Sequence, residues 1–112
     1  MSDPRAPGRV TRPAQRLTIL LTMHEHSRRR SLVIELLMRA HRAHLAGATV
    51  FRAYEGYGTS GRRHRMHGLS DDAPASIVII DEAHRIETFL ADVENLLDHA
   101  VVTIDEVLIV DV

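Results

Sequence analysis

Hydrophobic and polar positions alternate in some segments of the chain and follow a helical spacing in others. Residues 17–23 alternate apolar and polar side chains, which predicts a strand whose second face Leu20 makes partly apolar. After Ser31, a possible helix cap, one apolar stripe recurs at helical spacing and predicts a helix that ends near Leu45, before Gly47. The segment ATVFRAYEGY, residues 48–57, then predicts a second strand.

The second half of the chain repeats this order. Residues 77–80, Ile-Val-Ile-Ile, predict a third strand after Pro74. A helix is predicted to start at Asp81 or Glu82 and to continue through an apolar stripe to Leu97, and residues 101–110 predict the last strand. The order β-α-β-β-α-β predicts an α+β, ferredoxin-like sandwich, in which a four-stranded antiparallel sheet carries two helices on one face.

The predicted sheet is apolar on both faces. Every position of residues 77–80 is apolar, and Leu20 with Leu108 or Ile109 adds to the face that the helices leave open. A sheet of this kind needs a second cover, and the chain predicts no further element to supply it. We therefore expect a homo-oligomer in which the sheets of several copies pack together.

The length of 112 residues predicts one domain. Residues 1–15 hold three of the four prolines and show no apolar periodicity, so they are predicted to be a flexible tail before a domain of residues 16–112. The chain has no cysteine, no signal-peptide pattern and no apolar run long enough to span a membrane, which predicts a cytoplasmic location.

Charge is distributed unevenly along the chain. Through Met66 thirteen arginines stand against four acidic residues, and beyond it one arginine stands against eleven. This asymmetry favours either an anionic partner for the first half or complementary contacts between copies. The absence of lysine is most simply a codon bias.

The segment YEGYGTSGRRH contains a G-x-G-x-x-G pattern at Gly56, Gly58 and Gly61. A dinucleotide fingerprint requires that the glycines open a helix, but residues 62–75 show neither helical spacing nor strand alternation. The glycines are therefore predicted to open a long loop. Glycine lets the backbone approach a ligand, and the arginines and histidines that follow would attract an anion.

Catalytic, metal and nucleic-acid sites are not favoured. The serines lie in predicted caps or loops without a nucleophile elbow, and Asp105 and Glu106 fit a solvated edge of the last strand. The histidine pairs, of which His41 and His44 are one helical turn apart, have no strong third ligand in register. The first and third predicted strands also lack the aromatic platforms that RNA recognition needs. The sequence predicts no catalytic residue and no metal site, and nucleic acid is not an expected partner.

The segments LAGATVFRAYEGYGTSGRRH, SIVIIDEAHRIETFL and VVTIDEVLIV resemble the PII-like proteins, an uncharacterised-domain branch related to nitrogen-regulatory PII. The resemblance covers residues 17–110 and implies a non-enzymatic, homotrimeric signalling protein with a small anionic metabolite, such as an adenine nucleotide, in clefts between subunits. It also implies a T-loop between the second and third strands that contacts a protein or membrane-transporter partner. No cofactor is otherwise implied.

The resemblance assigns ligand binding to the base of this loop and to the arginines after it: Tyr54, Glu55, Gly56, Tyr57, Gly58, Arg62, Arg63 and His64. The chain departs from PII before its last strand, where LDHAVVT has neither glycine nor lysine, and in lacking the late basic pair. AMP, a cyclic nucleotide or no nucleotide therefore remain alternatives to ATP. The alternative function is a structural or metal-handling trimer similar to the divalent-cation-tolerance proteins.

Overall fold

The fold is given by a computed structural model that describes residues 8–22, 26–27, 30–53, 55–57, 63–65 and 74–112. In chain order the elements are β1 (Val10–Thr22), β2 (His26–Ser27), β3 (Arg30–Ser31), α1 (Leu32–Arg42), β4 (Thr49–Arg52), β5 (Glu55–Tyr57), β6 (Arg63–Arg65), β7 (Pro74–Asp81), α2 (Ala83–Val93), a 3-10 turn (Glu94–Leu96) and β8 (Val101–Asp111). β4, β7, β1 and β8 form, in that spatial order, one antiparallel sheet. The predicted α+β, ferredoxin-like class is confirmed.

One face of the sheet packs against the two helices. Leu17 pairs with Ile79 and Ile19 with Ile77, and all four side chains are almost fully buried. Helix α1 contributes its apolar stripe to this core, and α2 contributes another: Leu32, Val33, Leu36, Ala40, Ile86, Phe89 and Val93. Removal of this apolar surface from water is the main force that holds the helices on the sheet.

The other face, which we call the open face, carries exposed apolar side chains. Because successive residues of a strand point to opposite sides, the neighbours of the core residues point away from the helices. The exposed fractions are 44% for Leu20, 56% for Phe51, 39% for Ile80 and 41% for Val101. The structure thus confirms the expectation that the sheet is apolar on both faces, and it identifies Ile80 rather than Ile79 as the outward-facing isoleucine.

Strand β1 begins at Val10, so the boundary predicted at residue 15 lies inside a strand. Between Val10 and Ala14 the strand pairs only with β8, because β7 ends at Asp81, opposite Gln15. A strand with one neighbour tolerates Pro13, which has no N–H to donate on its unpaired side. Residues 10–15 are therefore part of the sheet. The sequence does not predict this, because these residues show no apolar periodicity.

Helix α1 ends at Arg42, earlier than predicted, through a turn in which His44 has a positive φ of 57°. The N–H of Leu45 donates to the carbonyl of Ala40 at 3.2 Å, and the N–H of His44 donates to that of His41 at 3.1 Å. These two bonds are the pattern of a Schellman cap, in which glycine usually takes the position that His44 occupies. Gly47, which the sequence suggested as the end signal, lies after this cap.

Replacing His44 by glycine is expected to stabilise the fold by about 1 kcal/mol. A left-handed backbone conformation costs a residue with a Cβ atom roughly that much, and glycine avoids this cost. Ala43→Gly is the matched control. Its φ of −78° is ordinary helical backbone, so glycine there is expected to destabilise by roughly 0.5–1 kcal/mol. Thermal or urea unfolding measures both changes, and equal shifts in the two variants would contradict the assignment of strain to His44.

A buried carboxylate joins the end of β7 to the turn after α1. Asp81 is only 6% exposed. Its oxygens accept the N–H of Ala46 at 2.9 Å and that of Glu82 at 2.7 Å, and Nε of Arg85 lies 3.5 Å away. The Arg85 guanidinium also donates to the carbonyl of His44. This network anchors the connection that leads into β4.

Candidate functional site

The candidate site lies where segment 54–73 leaves the sheet between β4 and β7. The two strands pair in register from Thr49 opposite Val78 to Arg52 opposite Ala75. The N–H of Ala53 then donates to the carbonyl of Pro74 at 2.8 Å. The sheet thus closes with Ala53 and Pro74 side by side, one immediately before the segment and one immediately after it. Thr22 of β1 pairs with Pro74 at the same end of the sheet.

Within segment 54–73 the described residues form a short antiparallel pair of strands. β5 and β6 bring together five of the predicted site residues, in the backbone register Gly56 opposite His64 and Tyr57 opposite Arg63, with Glu55 opposite Arg65. The other three predicted residues, Tyr54, Gly58 and Arg62, lie outside the described residues.

The prediction that residues 62–75 contain no strand is wrong for Arg63–Arg65 and for the start of β7 at Pro74. The sequence does not reveal β6, because Arg-His-Arg contains no apolar residue and therefore no apolar–polar alternation. The strand is defined only by its pairing with β5. The exclusion of a dinucleotide fingerprint is supported, since the elements described on either side of the glycines are strands rather than a strand and a helix.

Three exposed apolar side chains and one serine form a row on the open face next to this segment. The register aligns Phe51 with Ser76, Ser76 with Leu20, and Leu20 with Val101, so that one residue of each strand lies in the row. We call these four residues the loop-end row. Phe51 is its most exposed member, at 56%, and lies two residues before Ala53. The row provides an apolar surface at the end of the sheet where a ligand ring or a second copy could pack.

Phe51 was not among the predicted site residues. A signal for it exists in the sequence, because alternation in ATVFRAYEGY places Thr49 and Phe51 on the same face. Which face that is depends on the pairing with β7, and the chain gives no local sign of this pairing. The loop-end row is therefore visible only once four strands are in register.

In the parts of the chain that the structure describes, no group of three or more His, Asp or Glu side chains is placed to hold a metal ion. His41 and His44 are both exposed there. Among the same residues no helix is long and apolar enough to cross a membrane.

Comparison with protein families gives one match over nearly the whole chain. The family model DUF190, described as an uncharacterized ACR, matches residues 14–109. The chain belongs to the DUF190 family. A UPF0166 protein of Aquifex aeolicus (strain VF5) is 38% identical to this DUF190 chain over 74 residues, which cover 64% of this chain and 70% of that protein.

Solved structures share the fold of this DUF190 chain at low sequence identity. CPII, a nitrogen regulatory PII-like protein from Thiomonas intermedia K12, bound to ADP, AMP and bicarbonate, has a TM-score of 0.69 at 18% identity over 89% of this chain and 91% of its own. The apo form of CPII has a TM-score of 0.65 at 16% identity over 94% and 100%.

A protein of Thermus thermophilus described as a putative PII-like signaling protein has a TM-score of 0.62 at 15% identity over 91% and 92%. The predicted resemblance to PII-like proteins is confirmed for the fold, and the uncharacterised-domain family is DUF190.

Proposed function

We propose that the protein is a non-enzymatic, PII-like regulator, located in the cytoplasm, that binds a small anionic metabolite, an adenine nucleotide, at the base of segment 54–73. The observation that carries the proposal is the shared fold with CPII, whose structure holds ADP and AMP. In this chain the connection between β4 and β7, which carries the run of cationic residues, leaves the sheet beside the exposed loop-end row.

The proposed assembly is a homotrimer in which the open faces of the copies cover one another. Four large apolar side chains on this face are between 39% and 56% exposed in the single chain: Leu20, Phe51, Ile80 and Val101. An exposed apolar surface of this kind usually marks an interface. Closed rotational symmetry then covers every copy in the same way.

The proposed ligand site lies in the clefts of this assembly. The residues proposed to bind are those of the loop base and the basic run after it: Tyr54, Glu55, Gly56, Tyr57, Gly58, Arg62, Arg63 and His64. Glycine allows close approach of the backbone, and guanidinium groups form bidentate bonds to phosphate. The loop-end row supplies apolar surface for a base, with Phe51 as the aromatic member.

The proposed mechanism is a change in the order of segment 54–73. Ligand contacts would favour one arrangement of the segment, and a partner, either a protein or a membrane transporter, would recognise that arrangement. The ligand can shift this equilibrium only by the difference between its affinities for the two arrangements. The proposal therefore requires that ligand binding and partner binding are thermodynamically coupled.

Adenine nucleotides are expected to raise the melting temperature of the wild-type protein, and Gly58→Val is expected to abolish this effect while the assembly stays intact. A β-branched side chain fills the approach that glycine leaves open. Arg62→Ala and Arg63→Ala are expected to weaken binding by roughly 1–3 kcal/mol each through lost charge-assisted bonds. Thermal shift and calorimetry with AMP, ADP, ATP and cyclic nucleotides measure these effects.

Gly47→Val is the matched control for the glycine substitution. An added Cβ at Gly47 meets no atom within 4 Å, and the residue lies in the connection between α1 and β4, so ligand binding should be retained. A weakening by the arginine variants that disappears at high salt would indicate long-range attraction rather than direct bonds. If no anionic metabolite stabilises the wild-type protein, the proposed sensor function is wrong.

A further inference from the structure

Two ion pairs connect β1 and β8 on the open face. Arg16 and Asp105 form a bidentate pair, with Nε to Oδ1 at 3.1 Å and Nη2 to Oδ2 at 2.6 Å. Arg12 and Asp111 form a looser pair, with Nε to Oδ1 at 3.5 Å. All four side chains are about half exposed, between 46% and 49%. The two pairs are therefore similar in exposure and differ in geometry.

The two pairs also differ in their surroundings. Arg16 lies opposite Ile80 on β7 and opposite Asp105 on β8, so this pair lies within the sheet and next to an exposed isoleucine. Arg12 lies beyond the end of β7, where β1 has β8 as its only neighbour. A second copy that covers Ile80 would also cover the Arg16–Asp105 pair. Arg12 and Asp111 lie farther away, where only β1 and β8 continue beyond the end of β7.

The Arg16–Asp105 pair leaves hydrogen-bonding capacity unused. A guanidinium has more N–H donors than the two that reach Asp105, and an ionised carboxylate can accept more bonds than two. The unused donors of Arg16 can therefore bind the unused acceptors of Asp105 in another copy. Covering the pair without further bonds would be costly, because charges removed from water require full hydrogen bonding.

We propose that Arg16 of one copy also binds Asp105 of the neighbouring copy, and that this cyclic set of ion pairs determines which copies assemble together. The proposal rests on the homo-oligomer proposed above and adds the residues by which one copy recognises another. In the proposed homotrimer the contact is heterologous, because position 16 of each copy meets position 105 of the next copy, and such contacts close into a ring under rotational symmetry. The exposed apolar residues give affinity, and the ion pairs give register and specificity.

The test uses the exchanged variant R16D/D105R, which keeps the pair within each copy but reverses its direction. This variant is expected to assemble with itself as the wild type does. Mixed with differently tagged wild type, unfolded and refolded together, it is expected to sort into pure assemblies, because mixed contacts place Arg against Arg and Asp against Asp. Native mass spectrometry counts the tags in each assembly.

The matched control exchanges the outer pair as R12D/D111R, which is expected to mix freely with wild type. If R16D/D105R also mixes at random, the pair acts only within one chain and the inference is wrong, although the proposed assembly stands. A monomeric wild type would contradict the assembly itself.

Should the exchanged variant fail to fold, Asp105→Asn gives the second measurement. It is expected to raise the dissociation constant of the assembly by about tenfold or more, and an unchanged constant contradicts the inference.

Discussion

Ile80→Asp is expected to convert the proposed assembly into folded monomers, whereas Ile79→Asp is expected to unfold the chain. The two isoleucines are adjacent in β7 but face opposite sides of the sheet, with exposed fractions of 39% and 1%. A carboxylate at position 79 would be buried among the core residues without a partner, at a cost of several kcal/mol. At position 80 it would lie in water beside Arg16 in the monomer, and only the assembly would enclose it against the open faces of other copies.

Sedimentation and circular dichroism distinguish the two outcomes. We expect Ile80→Asp to raise the dissociation constant by about 100-fold or more, with helical and strand signals unchanged. Leu20→Asp is a second test, because its strand neighbours Ser76 and Val101 carry no charge that could pair with the new carboxylate. Ile80→Val is the conservative control. An Ile80→Asp protein that assembles as tightly as the wild type would show that the open face is not the interface.

Asp81→Ala is expected to lower the free energy of unfolding by about 3 kcal/mol. The substitution leaves the N–H groups of Ala46 and Glu82 without their carboxylate acceptor and removes the charge beside Arg85. The turn after α1 would then lose its link to the start of α2. Urea unfolding of the wild type and the variant measures the difference.

Asp92→Ala is the control for this change. Asp92 also faces an arginine, since its Oδ2 lies 3.6 Å from Nη1 of Arg39, but its side chain is 66% exposed. Water screens such a pair, and we expect a loss of at most about 1 kcal/mol. Similar losses in both variants would mean that the backbone bonds of Asp81 contribute little and that its burial is incidental.

The sequence predicts the principal elements because their apolar patterns are local. The core strands and both helices follow directly from alternation and from helical spacing. Several boundaries are missed, and for two of them the physical reason is clear. The start of β1 depends on pairing with β8, and the end of α1 depends on His44 taking a left-handed conformation that the sequence suggests only for glycine.

The sequence predicts less of the candidate site than of the fold. From the sequence alone, Asp105 and Glu106 fit a solvated edge. In the structure Asp105 binds Arg16, and Glu106 accepts a hydrogen bond from the side-chain amide of Gln15 at 3.1 Å. The uneven charge of the two halves is partly explained by the Arg16–Asp105 and Arg12–Asp111 pairs, which bring basic residues of the first strand to acidic residues of the last. The loop-end row likewise joins residues from four strands, so no single segment contains a pattern for it.

The pairing of the first strand with the last also constrains the order of folding. Arg16 and Asp105 are separated by 89 positions, and β1 lies between β7 and β8 in the sheet. During synthesis, β1 therefore keeps one unpaired edge until the segment that forms β8 has left the ribosome. Contacts of such long range slow folding relative to helical proteins of the same size. The nascent chain must meanwhile carry exposed apolar strands, so chaperone binding before release is expected to be stronger for this chain than for a helical bundle of equal length.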